Sequence, residues 1–229
     1  MRRAAIAILR KAFPAASVSE TGSKSVPVEG GSLSRKVDVV ICAWYKSVEY
    51  KSTGDRRWVG IEVFDNDAGA VLLNLPFLHN TRIDEADAAC GGGLRKLIRL
   101  LKTIKADSDG AVTMSSYDIA GLIYNMPALD RTAPPDADLL LLNNCRSYLR
   151  RLRVTEEERA SISVPNGTRK VFCAEGATVG QLEELQREVE DLAAEIELGL
   201  ATRLRKLSEA RVAYQTKGTT RRLRQLPVY

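Results

Sequence analysis

The chain has 229 residues, of which 45% are hydrophobic and 28% charged. This composition supports one packed core, or one core with a small helical lobe, and excludes a largely disordered chain. The formal net charge of +5 favours an anionic partner such as a nucleotide, a nucleic acid or an acidic lipid. The four cysteines are far apart and form no CxxC pair, which argues against a zinc cluster. We interpret these cysteines as reduced thiols. No stretch approaches the roughly 20 apolar residues of a membrane span, so we expect a cytoplasmic protein.

The first part of the chain predicts an amphipathic helix followed by strands. Residues 3–13 space their apolar side chains at helical intervals. Residues 36–44, KVDVVICAW, form the clearest predicted strand because Val and Ile dominate it, although Asp38 lies inside it. Residues 58–64 and 70–75 flank a polar turn that ends in glycine, a pattern that predicts a hairpin.

The middle of the chain predicts a loop and then two helices. The loop runs from Pro76 to the glycines at 91–93, which lack the Lys-Ser/Thr of a phosphate-binding loop and are interpreted as a flexible helix entry. Residues 94–105, LRKLIRLLKTIK, predict a helix with one apolar and one basic face. The serines at 115–116 can cap a further helix, which Pro127 ends.

The last part of the chain predicts mainly helix. We expect a helix at 136–152, a short hairpin at 161–174, a long charged helix at 178–213 and a loose end. The apolar side chains of the long helix could form a coiled coil or pack onto the helix at 136–152, and the sequence leaves both open. These side chains are Leu182, Leu185, Val189, Leu192 and Ile196.

Four segments, in this order, resemble polymerase-β-like nucleotidyltransferases of the group that contains bacterial CD-NTases, oligoadenylate synthases and cyclic GMP-AMP synthase. They are KVDVVIC, LNLP with its following loop, LRKLIRLLKTIK and SSYDIAGLIYNMP. The resemblance covers about residues 3–127, with weaker similarity over 161–197. It implies an α/β (α+β) fold, in which a partial mixed sheet packs against a C-terminal helical lobe. The implied parts are a partial transferase core at 1–92, a nucleotide-contacting helical lobe at 93–213 and a basic tail at 214–229.

The resemblance also implies roles for five residues. Asp38 matches the last of three metal-binding carboxylates, and is therefore the predicted catalytic and metal-binding residue, with Mg²⁺ or Mn²⁺ expected from the family. Lys102, with Lys105 one turn later, matches a lysine that contacts nucleotide phosphates. Ser116 matches a serine that hydrogen-bonds the triphosphate, and Tyr117 matches an aromatic residue that stacks on a nucleobase. The ordinary alternatives are a solvent-facing strand aspartate, a solvated helix face, an N-cap and a half-buried tyrosine.

The sequence departs from the family before Asp38. The family places a G-S motif and a D-x-D pair there, whereas the pairs at 22–23 and 31–32 supply Gly-Ser without a D-x-D at a fitting distance. A single carboxylate holds Mg²⁺ poorly, so we expect this polypeptide alone to transfer nucleotides slowly or not at all. A start assigned too far downstream, a truncated relative and a partner chain that supplies the absent strands are all compatible with this. His79, the only histidine, is interpreted as a surface or loop-packing residue.

Three functions remain open at this point. The first is a transferase, or its truncated relative, that makes cyclic or linear oligonucleotide signals from nucleoside triphosphates such as ATP or GTP in antiviral defence. The second is a catalytically inactive module that binds nucleotides through Lys102, Ser116 and Tyr117. The third is a nucleic-acid or helical partner protein that uses basic residues in and after the long helix. Those basic residues are Arg203, Arg205, Lys206, Arg211, Arg221, Arg222 and Arg224.

Overall fold

The computed structural model describes the backbone of residues 2–223 and the side chains of residues 2–209. Six strands and eight α-helices follow one another in this part of the chain. They are α1 (Arg2–Ala12), β1 (Ala16–Val18), β2 (Ser25–Gly30), β3 (Val37–Val40), β4 (Cys42–Lys46), α2 (Val48–Thr53), a 3₁₀ turn (Arg56–Trp58), β5 (Val59–Asp65), β6 (Ala70–Asn74), α3 (Pro76–Ala89), α4 (Gly93–Asp107), α5 (Ser116–Asn125), α6 (Leu139–Val154), α7 (Glu156–Ser161) and α8 (Val179–Leu223).

The strands form two three-stranded sheets, with orders β1-β2-β3 and β4-β5-β6. Every pair in these two sheets is antiparallel, where the sequence predicted a mixed sheet. The single strand predicted at 36–44 is divided at Ile41, which was not anticipated. The division arises because the segment changes partner there: β3 pairs with β2, whereas β4 pairs with β5. The predicted class, an α/β fold with a helical lobe, is confirmed.

The first sheet has a small core of its own. Alternate residues of β2, Val26 and Val28, are buried, as expected for a strand with one covered face. They pack with Ile6 of α1 and Val18 of β1. The helix predicted at the start of the chain is therefore confirmed as the cover of this sheet.

The loop predicted after Pro76 is wrong, because residues 76–89 form helix α3. Pro76 is the first helical residue, a position that tolerates proline because the N–H it lacks would have no intrahelical partner. The sequence signal was weak because Leu78 and Ile83, the buried residues of α3, are separated by five positions. Packing against β5 and α4 stabilises this helix despite its poor amphipathic pattern.

The larger core lies among α4, α5, α6 and α8. Each fully buried leucine in such a core contributes roughly 1.5–3 kcal/mol relative to an exposed one. The Tyr148 hydroxyl in α6 donates to the Leu122 carbonyl of α5 at 3.1 Å, which satisfies its polar atom inside the core. Ile83 and Cys90 join this core from before residue 93, and the predicted division at 92–93 stays a prediction. The α4 side chains in the core are those the pattern predicted: Leu94, Leu97, Ile98, Leu101 and Ile104.

Helix α8 packs onto the helical lobe. Leu182, Leu185 and Val189 are fully buried in the lobe's core, which decides between the two arrangements left open by the sequence. Beyond residue 196, the side chains described up to residue 209 are exposed. The helix continues to Leu223, so the loose end predicted from Thr216 is wrong for 216–223, and residues 224–229 lie outside the described part. Before Pro227, the glycine at 218 is the residue of lowest helix propensity in this stretch.

The hairpin predicted at 161–174 is reduced to one bridge between Ser163 and Lys170. Helix α7 occupies the residues before it, and the short Pro-Asn-Gly turn closes the bridge, with Gly167 at φ 72°. The side chains of Val164 and Val171 are buried against α5. This packing fixes the segment in place without a longer series of strand-to-strand hydrogen bonds. Within the described residues, no helix is both long and apolar enough to cross a membrane.

Candidate functional site

A cavity of about 230 Å³ lies between α3, α4 and α5. The α4 face of this cavity carries Arg95, Arg99 and Lys102, which follow one another at intervals of four and three residues and therefore share one side of the helix. His79 and Asn80 of α3 line the opposite side. The cavity is therefore basic on one wall and uncharged but polar on the other.

Two of the three α4 cations are available to a ligand. Arg95 is ion-paired with Asp84 and Asp87 of α3. Arg99 and Lys102 are exposed and have no ion pair with any residue that the structure describes. Two uncompensated cations on the rim of one cavity favour a polyphosphate or another multivalent anion.

Lys105 lies outside this cavity, although the sequence grouped it with Lys102. Its ammonium group donates to the carbonyl of Met114 at 2.6 Å. This bond ties the end of α4 to the loop that leads into α5. Lys105 therefore positions the start of α5, and its role as a direct phosphate ligand stays a prediction.

The two serines at the start of α5 differ in their contacts, which bears on the two roles that the sequence left open, an N-cap and an anion ligand. Ser115 is the N-cap: its hydroxyl accepts from the Asp118 amide at 3.0 Å and donates to the Asp118 carboxylate at 2.6 Å. Ser116 is exposed, and its hydroxyl makes no hydrogen bond to the described residues. Ser116 is thus free to meet an anion at a helix N-terminus, where backbone N–H groups and the helix dipole favour negative charge.

Tyr117 is half-buried and already has aromatic and cationic neighbours. Its ring stacks on the His79 imidazole, with centroids 5.0 Å apart and an 18° angle between the planes. The Arg169 guanidinium carbon lies 5.5 Å from the same ring centroid. A nucleobase that stacks on Tyr117 would therefore replace one of these two neighbours or extend the stack.

His79 lies on a helix rather than in a loop, and it packs against Tyr117 instead of facing open solvent. Burial, and then the positive charge of Lys102, lower the pKa of His79 below its ordinary value of 6.5. The imidazole is consequently neutral near pH 7, and its buried Nδ1 has no hydrogen-bond partner among the described residues. Burial also raises the pKa of the Tyr117 hydroxyl.

An ion pair between Asp118 and Arg169 supports this arrangement and was not predicted. Arg169 Nη2 lies 2.7 Å from Asp118 Oδ1 in a geometry suited to charge attraction but not to a directed hydrogen bond. Asp118 is buried in the first turn of α5, while Arg169 comes from the segment after the Pro-Asn-Gly turn. No local sequence pattern links two residues so far apart in the chain.

Asp38 does not join this group in the structure. It lies in β3 opposite Pro27, its side chain is exposed, and it makes no hydrogen bond or ion pair with the described residues. Among the side chains of residues 2–209, no three His, Cys, Asp or Glu groups are arranged to hold a metal ion. Mg²⁺ needs several oxygen ligands, of which Asp38 is one, and the metal-binding role of Asp38 stays a prediction.

Comparisons with known proteins identify relatives, although no family model matches the chain. The chain is 40% identical over 175 residues to the cyclic dinucleotide synthase CdnE of Yersinia aleksiciae, in an alignment covering 75% of this chain and 46% of that protein. The chain thus spans about half the length of this curated relative.

Solved structures show the same fold. The STING-associated CdnE c-di-GMP synthase of Capnocytophaga granulosa matches with a TM-score of 0.69 and 24% identity, over 86% of this chain and 62% of that one. The Elizabethkingia meningoseptica CdnE cyclic dinucleotide synthase, solved with GTP and Apcpp, matches with a TM-score of 0.66 and 18% identity, over 83% of this chain and 69% of that one.

Proposed function

We propose, from the premise that this chain belongs to the CD-NTase group of nucleotidyltransferases, that it contributes the nucleotide-binding lobe of an enzyme making cyclic or linear oligonucleotide signals. The substrates in this proposal are nucleoside triphosphates such as ATP or GTP. The similarity to a STING-associated CdnE supports antiviral defence as the setting.

The observation that carries the proposal is the basic wall of the α4 cavity beside the start of α5. Lys102 and Arg99 present two unpaired cations, and Ser116 offers a free hydroxyl at a helix N-terminus, all within the described residues. Together these groups provide the charge and the directed donors that a triphosphate needs. Tyr117, with His79 stacked on it, offers an aromatic surface for the base.

The division of labour in this lobe is binding and orientation. Lys102 and Arg99 would hold the phosphates by charge, while Ser116 would fix their position by donating a hydrogen bond. Mg²⁺ or Mn²⁺, expected from the family, would neutralise phosphate charge when bound. Asp38 belongs to no group of three metal-ligating side chains among the described residues, so a catalytic step through a metal is not part of this proposal.

The same observation favours a second candidate, a nucleotide-binding module without turnover. A lobe that holds phosphates but offers one isolated carboxylate can bind triphosphates without positioning two metal ions. In this candidate Lys102, Ser116 and Tyr117 keep their binding roles. Asp38 then has no catalytic role.

Equilibrium dialysis of the purified 229-residue polypeptide against labelled ATP and GTP tests the binding role. We expect Lys102→Gln to weaken the binding roughly tenfold or more, because it removes a charge-assisted interaction. Lys96→Gln is the matched control, since Lys96 is an exposed lysine of α4 whose amine pairs with Asp138 outside the cavity. Equal affinities of these two variants would contradict the proposed site.

Incubation of the same polypeptide with labelled triphosphates and Mg²⁺ or Mn²⁺ tests whether these 229 residues transfer nucleotides by themselves. We expect binding with little or no labelled product. Metal-dependent product that Asp38→Asn abolishes would instead establish that these 229 residues are a transferase. Binding without product, unaffected by Asp38→Asn, fits both the binding lobe of a larger enzyme and the inactive module.

A further inference from the structure

A second, larger cavity of about 530 Å³ lies away from the basic wall of α4. It is formed by β4, α2, the 3₁₀ turn at Arg56–Trp58 and the start of α3. No residue lines both this cavity and the one beside Lys102. Its volume falls within the roughly 300–1,000 Å³ typical of small-molecule sites.

Two exposed aromatic rings dominate this second cavity. Trp44 of β4 is 70% exposed and Phe77 of α3 is 46% exposed. Their planes are within 12° of parallel, but their centroids are 6.5 Å apart, near the upper end of the roughly 4.5–7 Å range for direct aromatic pairs. The two rings therefore bury little of each other, and their faces remain open to a planar ligand.

The polar lining of the cavity is cationic. Lys46 of β4 and Arg56 of the 3₁₀ turn line it and have no ion pair with the described residues. Arg57 also lines it but is held by Asp55 at 2.7 Å and Glu85 at 3.3 Å. Among the described residues, no carboxylate lines the cavity, so the electrostatics of its wall favour an anion.

We infer that this cavity binds a second nucleotide, with its base stacked on Trp44 and Phe77 and its phosphates at Arg56 and Lys46. Only a ligand with both a flat aromatic part and a negative part uses both features of the wall. A single-stranded nucleic acid would satisfy the same chemistry, but such proteins usually present a series of aromatic residues along a positive groove. Here the aromatic residues Trp44, Tyr50 and Phe77 lie together in one compact cavity rather than along a groove, which favours a mononucleotide.

The test uses the full 229-residue chain carrying Lys102→Gln and Ser116→Ala, so that the first site is weakened. Labelled ATP and GTP serve as probes in equilibrium dialysis, with EDTA present to exclude metal effects. We expect binding of one nucleotide to remain in this background. Trp44→Ala should then weaken it about tenfold, as expected when a base loses an aromatic stacking partner, and Trp44→Phe should restore much of the affinity.

Matched controls identify the contribution of each side chain. Phe64→Ala removes another exposed aromatic residue of the same sheet, 52% exposed and outside this cavity, and should leave the affinity unchanged. Arg56→Gln should weaken binding, whereas Arg35→Gln, at an exposed arginine outside the cavity, should not. Circular dichroism of each variant verifies that it is folded.

The two proposals fail independently. Absence of nucleotide binding in the Lys102→Gln, Ser116→Ala background, or equal affinities for Trp44→Ala and Phe64→Ala, would overturn the second site and leave the first intact. If the Trp44→Ala variant still binds nucleotide, and the addition of Lys102→Gln to that variant does not weaken the binding, the proposed function fails instead. Binding of a labelled oligothymidine but not of ATP or GTP would overturn the mononucleotide assignment in favour of a single strand.

Discussion

Arg169 contacts two neighbouring residues at the start of α5, Tyr117 and Asp118. Its guanidinium lies over the Tyr117 ring and beside the buried Asp118 carboxylate. We predict that Arg169→Met destabilises the fold by about 2 kcal/mol, because it leaves a buried carboxylate without its counter-charge, although partial exposure of Arg169 moderates the loss. Urea unfolding of both proteins measures the difference.

Arg205→Met is the control for this prediction. Arg205 also pairs with a carboxylate, that of Glu209, but both side chains of this pair are largely exposed. Its removal should change the free energy of unfolding by less than about 0.5 kcal/mol. Equal losses of stability in the two variants would show that burial of Asp118 does not matter.

At the residue level, the serine cap at the start of α5 is confirmed, because its signal is local. The structure assigns the cap to Ser115 and leaves Ser116 free of hydrogen bonds to the described residues, and the anion contact of Ser116 stays a prediction. The contacts of Tyr117 with His79 and Arg169 were not predictable, because they join three separate segments of the chain. Such contacts depend on packing, which no local pattern encodes.

At the level of the element, α8 offers a test within one helix. Leu185 is fully buried against the lobe, whereas Leu204 is 66% exposed. Leu185→Ala should cost roughly 2–5 kcal/mol, because it removes apolar burial and leaves a cavity behind. Leu204→Ala should change stability by at most about 0.5 kcal/mol.

Thermal or urea unfolding of these two variants decides which half of α8 packs against the helical lobe. The expected difference follows from α8 packing onto α6, where Arg146 and Arg150 also pair with Glu190. A larger loss for Leu204→Ala than for Leu185→Ala would mean that the protruding half of α8 is the packed one. That result would revive the coiled-coil interpretation.

Elements were predicted well when a local pattern determined them. The apolar periodicity of residues 94–105 predicted α4, and the polar turn ending in glycine predicted the hairpin that appears as β5 with β6. Helix α3 was missed because its burial comes from neighbours on two sides rather than from an apolar stripe of its own. The strand at 36–44 was divided because its two halves pair with different strands.

For the whole molecule, the positive charge still permits a nucleic-acid partner, and this hypothesis stays a prediction. Arg203, Arg205 and Lys206 are exposed on α8. The side chains of Arg211, Arg221 and Arg222, and the whole of Arg224, lie outside the described residues.

Deletion of the chain from Lys217 tests this partner. If the basic end binds a DNA duplex, the affinity should fall steeply with salt, and the deletion should make the log–log salt slope shallower by about 0.9 for each phosphate that the removed segment neutralises. Arg221→Gln with Arg222→Gln in the undeleted 229-residue polypeptide controls for the truncation itself. Absence of duplex binding at low salt would remove the hypothesis.

The sequence by itself determined the class of the fold, the basic face of α4, the serine-capped start of α5 and the resemblance to CD-NTases, because each depends on residue types at short spacing. Only the tertiary structure decided that Lys105 donates a hydrogen bond to the Met114 carbonyl and that His79 and Arg169 both contact the Tyr117 ring. It also decided that Trp44 and Phe77 line the same cationic cavity. The physical reason is the range of the interactions. Periodicity and capping act within a few residues, whereas these neighbours are chosen by the packing of helices and strands that are distant in the chain.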